Sequence, residues 1–165
     1  MMPGMRELFG LAAQIGVRLK ERGQTIGVAE SSAGGLINAS LVAVPGASGF
    51  YLGGVIVYTA IGRQELLGVA NEEMRGIRSA SEPFARLMAA RVRDKLGATW
   101  GLAETGASGP TGNRYGDAAG HACIAVSGPI SAEITLETGS PDREANMRRF
   151  AQRALELLDS CLQKG

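Results

Sequence analysis

TIGVAESSAGGL, residues 25 to 36, is a short apolar run that ends on a glutamate and passes through two serines and two glycines into a helical stretch. The run from Thr25 to Glu30 reads as a buried strand, and the helix after it extends to about Val44, where Pro45-Gly46 breaks it. Strand, glycine loop and helix in that order are the unit from which α/β sheets are built.

Working outward, Leu8, Leu11, Ala12, Ile15 and Leu19 share one face of a helix over residues 5 to 22, which Gly23 stops. Downstream, GGVIVYT (53 to 59) predicts a second strand, and a short helix carries Arg63, Leu66 and Leu67 toward Gly68. Ser81 caps a longer helix whose apolar positions are Phe84, Leu87, Met88, Val92 and Leu96, with Pro83 tolerated in its first turn. ATWGLAET (98 to 105) is a third strand, followed by the most glycine-dense loop of the chain, residues 106 to 120. HACIAVS (121 to 127) and SAEITLET (131 to 138) read as a hairpin whose second arm alternates, giving one wet face. A last helix starts near Asp142. The pattern predicts a single domain over residues 1 to 165, an α/β three-layer α/β/α sandwich on a mixed sheet of about five strands.

Glycine is the compositional outlier, at 24 of 165 residues, about twice the usual share. It points to tight turns and close backbone approach. A net charge of +1 gives no general pull toward nucleic acid or an anionic membrane, although a local anion pocket stays open. With no long apolar run and no signal-peptide pattern at MMPGMREL, the expectation is a soluble cytoplasmic protein. Cys123 and Cys161 are isolated and His121 is the sole histidine, so no metal site is expected and both thiols are read as free and buried.

Chemistry in open α/β sheets collects beyond the C-terminal ends of strands. Three loops are assigned there: Glu30 to Gly35, the Gly46-Ala47-Ser48-Gly49 turn, and Thr105 to Pro110. None is a Walker A or GxGxxG loop. Ser31, Ser32, Ser48, Thr105 and Ser108 are candidate nucleophiles or oxyanion neighbours, while capping roles suit the same residues. A serine nucleophile needs a base; His121 is a candidate, and Lys20, Lys95 and Lys164 read as solvated. Glu30 and Glu104 end apolar strands beside glycine loops, fit either to bind a ribose hydroxyl or to organise the turns.

Taken in order, AESSAGG (29 to 35), VPGASGFYLGGVIVYT (44 to 59), LLGV (66 to 69), SEPFARLMA (81 to 89), LAETGASGP (102 to 110) and PDR (141 to 143) resemble the C-terminal domain of the CinA competence/damage-inducible family over almost the whole chain. Stand-alone members of that family are nicotinamide mononucleotide amidohydrolases. The resemblance implies hydrolysis of the carboxamide of nicotinamide mononucleotide to nicotinate mononucleotide and ammonia, in pyridine nucleotide salvage, without metal or other cofactor. It implies Ser48 as nucleophile and Tyr58 as its assistant, with Ser31 and Thr105 lining the site. Arg143 suits the phosphate, because a guanidinium binds two oxygens at once. Gly34, Gly35, Gly106 and Gly109 are expected to let backbone N–H groups approach the nucleotide.

The chain departs from the family pattern where a lysine is thought to activate the nucleophile. The family's Y-[ST]-N-E-x-K is here YTAIGR, with Ala60, Ile61 and Arg63 at the last conserved positions. Arginine keeps the charge near an oxyanion or phosphate but is a poor base. Ser32, Ala33 and Glu104 also depart from the pattern, as does the NRYGDAAGHA loop (113 to 122). Three readings stay open: the amidase, a silent member that binds a nucleotide or a partner, and a hydrolase of another small amide. The expected partner is a small nucleotide, with neither nucleic acid nor membrane. The apolar cluster Phe50, Tyr51 and Leu52 marks either a homo-oligomer interface or a core anchor.

Overall fold

The computed structural model describes residues 2–165. Five helices, α1 (Met5–Arg22), α2 (Leu36–Val42), α3 (Ala60–Leu67), α4 (Glu82–Leu96) and α5 (Arg143–Lys164), flank five strands. The strands are β1 (Ile26–Glu30), β2 (Tyr51–Ile56), β3 (Trp100–Ala107), β4 (His121–Ser127) and β5 (Ala132–Glu137). They form one sheet in the order β2-β1-β3-β4-β5. β1 is parallel to β2 and β3, whereas β3, β4 and β5 run antiparallel to one another. The predicted mixed α/β/α sandwich is the observed architecture.

Burial follows from this order. The central strands β1, β3 and β4 are covered on both faces and are buried almost throughout. One face packs Ile26, Val28, Trp100, Leu102 and Ile124 under α1, α2 and α5. The other packs Ala29, Ala103 and Ala125 under Phe84, Met88 and Val92 of α4 and Leu67 of α3. Small residues on that second face let α4 lie close to the sheet. Ser81 and Asp142 cap α4 and α5 by accepting the N–H groups of Phe84 and Ala145, and Gly23, Gly68 and Gly97 end α1, α3 and α4 in the left-handed conformation.

Two expectations need correction. The second strand begins at Tyr51, not Gly53, and Val57 to Thr59 lie beyond it. The apolar cluster is therefore split: Phe50 is fully buried in the core, while Leu52 projects from an edge strand. The Gly46–Gly49 turn leads into β2 instead of following a strand, so it sits at the end of the sheet opposite the C-terminal ends of the parallel strands. Lys20, at the end of α1, donates to the Pro45 carbonyl at 2.9 Å beside that turn.

The close approach of α4 to β3 has a sharp test. A Cβ on Gly101 would overlap the Ala89 carbonyl oxygen and crowd the Arg93 side chain. Gly101→Ala is expected to lower unfolding stability by on the order of 1–3 kcal/mol, read as a shifted urea midpoint with unchanged slope. An unaltered midpoint would mean that the helix is free to move away.

Candidate functional site

A pocket of about 390 Å³ opens at the C-terminal ends of β1, β2 and β3, within the size range of small-molecule sites. Ser31, Tyr58, Arg63, Thr105 and Gly106 line it. They arrive from separate segments because three strands end there. Ser31 follows β1, and Tyr58 follows β2. Arg63 comes from the first turns of α3, which Thr59 caps by accepting the Gly62 N–H at 3.2 Å. Thr105 and Gly106 belong to β3, and Gly106 is obligatory because a Cβ there would strike the backbone of β4.

Arg143, the first residue of α5, donates to the Gly109 carbonyl at 2.5 Å and to the Tyr58 hydroxyl at 2.9 Å. It ties the 106–110 loop to the lip of the pocket. Ser48 is not brought to the pocket of its own chain. It is exposed at the far end of β2, roughly 20 Å away at ~3.3 Å per strand residue. Gly34 and Gly35 also stay off the lining, and their backbone donors are already used: the Gly34 N–H by the Ser31 carbonyl at 3.1 Å, and the Gly35 N–H by Glu30 at 3.1 Å.

The AESSAGG loop is held by two buried carboxylates. Glu30 accepts from the N–H groups of Gly35, Ile37 and Asn38 and from the Asn38 side-chain amide at 2.6–3.1 Å. Glu104 accepts from the N–H groups of Ser31 at 3.1 Å and Ala33 at 2.8 Å, and from the Ser32 hydroxyl. Of the two roles open to these glutamates, the geometry realises loop organisation. Burial raises the pKa of both against these hydrogen bonds, and that of Glu104, which also faces the Glu30 charge, reaches about 7.

The floor of the pocket was not legible in the sequence. Ala80, a non-glycine residue at φ 56°, donates its N–H to Thr105 Oγ1 at 3.1 Å, and its carbonyl accepts from His121 Nε2 at 2.8 Å. His121 Nδ1 lies 2.5 Å from a Glu137 carboxylate oxygen. A carbonyl and a carboxylate only accept, so both ring nitrogens donate and the ring is an imidazolium. Burial opposes that charge, but Glu137, the Ala80 carbonyl and Asp117 outweigh it and raise the His121 pKa. With no free lone pair, His121 holds Ala80 in place and cannot serve as base. Cys123 points at the same carbonyl from 3.7 Å, its thiol pushed up in pKa by burial. Asn113, Arg114 and Tyr115 form the outer wall; the only sequence signal for them was the unusual 113–122 loop. Among the described residues, no three His, Cys, Asp or Glu side chains gather to hold a metal ion.

Residues 9–162 match the family described as the CinA C-terminal domain. This chain belongs to that family. CinA-like proteins of Prochlorococcus marinus and Gloeobacter violaceus are 42% and 39% identical to it, over 71% and 90% of this chain and 27% and 35% of their own lengths. The CinA domain described here therefore spans about a third of the curated relatives it matches. Among solved structures, the competence/damage inducible protein CihA of Agrobacterium tumefaciens superposes with a TM-score of 0.87 at 26% identity, covering 99% of this chain and 98% of that one. The CinA superfamily protein of Enterobacter cloacae does so with a TM-score of 0.85 at 28% identity, covering 93% and 92%. Among the described residues, no helix is long and apolar enough to cross a membrane.

Glu104 makes the domain's stability depend on pH. Its folded-state pKa lies near 7 and its unfolded value near 4.5, so the folded state holds the extra proton between them. Stability is fully present below about 4.5, falls as pH rises toward 7, and stays reduced above. Glu104→Gln keeps an oxygen for the Ser31 and Ala33 N–H groups and removes the charge. It is expected to stabilise the fold above neutrality by a few kcal/mol and to flatten this decline. Urea melts from pH 4 to 8 that keep the decline in the variant would assign it to another group.

Proposed function

We propose that this CinA domain hydrolyses the carboxamide of nicotinamide mononucleotide, releasing ammonia and nicotinate mononucleotide. The observation that carries the reading is the convergence of Ser31, Tyr58, Arg63 and Thr105, from three separated segments, around one pocket. Arg63 is buried, lacks an acidic partner among the described residues, and donates to the Val69 carbonyl at 3.2 Å and to Asn71. Arg143 stands at the lip. Together they offer guanidinium groups for a phosphate or a developing oxyanion. Thr105 has its oxygen engaged by the Ala80 N–H, which leaves its hydroxyl proton to donate to substrate.

The nucleophile in this reading is Ser48 of a second copy. β2 is an edge strand, and Leu52 and Ile56 on it, with Val42, Ile61 and Leu66 beside it, are the exposed apolar side chains that such an edge leaves unpaired. Antiparallel pairing of two β2 edges about a two-fold axis sets residues before one strand beside residues after the other. Ser48 then approaches Tyr58 and Thr59 of its neighbour. A second reading, nucleotide binding without turnover, is favoured by Arg63, which anchors Val69 and Asn71 and offers no basic lone pair.

Purified protein is expected to release ammonia from nicotinamide mononucleotide, and Ser48→Ala and Thr105→Val are each expected to cut turnover by on the order of 1000-fold. Mixing the two inactive variants should restore part of the activity, since a mixed pair contains one intact composite site. Turnover retained by Ser48→Ala moves the nucleophile to Ser31. Calorimetric binding without ammonia release selects the second reading.

A further inference from the structure

The family's lysine is absent, His121 is a doubly donating imidazolium, and the guanidinium of Arg63 cannot accept a proton. The pocket nevertheless holds two phenols, Tyr58 and Tyr115, and Tyr115 is the one set between two guanidinium groups. Tyr115 lines the pocket together with Ser79, Thr105 and Arg63. Its hydroxyl oxygen accepts from Arg114 Nη2 at 3.0 Å, and the Arg114 and Arg78 guanidinium carbons each lie 5.1 Å from its ring centroid. Arg78 is neutralised by a two-pronged pair with Asp117 at 2.7 and 3.1 Å. Arg114 has no acidic partner among the described residues, so its charge is directed at the phenol.

The loop carrying this phenol is braced. The Asn113 side-chain oxygen accepts from the N–H groups of Tyr115 at 3.0 Å and Asp117 at 3.2 Å, and its amide donates to the Asp117 carboxylate at 2.8 Å. Arg78 then fastens Asp117 to the segment that forms the pocket floor. The phenol is thus held on a fixed turn.

We propose that Tyr115 is the acid–base catalytic residue of this pocket, taking the proton-transfer task that the family assigns to the missing lysine; this rests on the amidase reading above. As phenolate, Tyr115 accepts the proton of the attacking serine as its oxygen bonds to the carboxamide carbon. It returns that proton to the amide nitrogen as the C–N bond breaks and ammonia leaves. A water then gives Tyr115 a proton while its oxygen attacks the acyl ester, and the proton goes back to the departing serine oxygen. No oxidant or metal enters the balance.

The direction of ionisation agrees. The Arg114 hydrogen bond lowers the Tyr115 pKa against the opposing effect of burial, with a further contribution from Ser79, whereas burial and the Glu30 charge raise that of Tyr51. The charged groups at the phenol are Arg114 and Arg78 with its Asp117, and Arg63 lines the same pocket.

Tyr115→Phe keeps the ring over both arginines and is expected to lower kcat for nicotinamide mononucleotide about 100-fold or more with little change in KM. Activity of the unmodified protein should rise with pH as the phenol ionises, and Arg114→Gln should move that rise to higher pH. The chain has three tyrosines, so ultraviolet titration of phenolate in the unmodified protein and in Tyr115→Phe isolates Tyr115 without any substrate. A lowest-titrating phenol that disappears in Tyr115→Phe supports the proposal. Full kcat in Tyr115→Phe overturns it, as does a Tyr115 that titrates no lower than free tyrosine. Should the unmodified protein turn over no nicotinamide mononucleotide, the substrate reading falls, and the titration still decides whether Tyr115 is an activated phenol.

Discussion

Everything at the pocket end of the sheet depends on two buried carboxylates holding one loop. Glu30 ends β1 and Glu104 sits within β3, on neighbouring parallel strands, and between them they take the backbone donors of Ser31, Ala33, Gly35, Ile37 and Asn38. A helix of seven residues such as α2 has little cooperativity of its own. Its start is fixed because Glu30 satisfies the N–H groups that a free N-terminus would leave open. The arrangement is costly, since two like charges share a dry region, and the rise in both pKa values expresses that cost. It also settles what the loop is not. Donors consumed by protein carboxylates are closed to a phosphate, whereas the guanidinium groups of Arg63 and Arg143 stay available at the pocket.

The second constraint is Ala80. Left-handed backbone at a residue with a Cβ is strained, and it persists because partners on two strands hold the peptide groups on both sides: Thr105 of β3 takes the N–H, and His121 of β4 takes the carbonyl. The sole histidine of the chain thereby acts through the backbone. It links the antiparallel hairpin, whose Glu137 keeps it charged, to the floor of a pocket built on the parallel strands.

The strands, helices and caps were legible because each carries a local signal: apolar runs ending in glutamate or glycine, Ser81 and Asp142 ahead of helical periodicity, glycines at helix ends. Ser31, Tyr58, Arg63 and Thr105 were legible as a set through the resemblance of six ordered motifs. The position of Ser48 was not, because a glycine turn looks alike whether it precedes or follows a strand, and only the parallel register of β2 on β1 separates the two cases. Ala80 and Tyr115 were illegible for a different reason. Neither falls within a recognisable catalytic motif: Ala80 acquires its role from Thr105 and His121, 25 or more positions away, and Tyr115 from its neighbour Arg114 on a loop that Arg78, far off in sequence, holds through Asp117.

Replacing the family's lysine with arginine separates two properties that a lysine combines. An ammonium near a nucleophile supplies positive charge and, once deprotonated, a basic lone pair; a guanidinium at Arg63 supplies only the charge and spends part of its donor capacity on Val69 and Asn71. A pocket so altered keeps its electrostatic fitness for an anion, since Arg63, Arg114 and Arg143 surround it while Glu30 and Glu104 are buried and biased toward the neutral form and Asp117 is paired with Arg78. A net charge of +1 over the whole chain conceals this local excess. Under the amidase reading proton transfer has to reside on another atom, and a phenol supported by a guanidinium with no acidic partner among the described residues is the arrangement that the same cationic environment favours, because a nearby positive charge fit to hold an anionic substrate also stabilises phenolate.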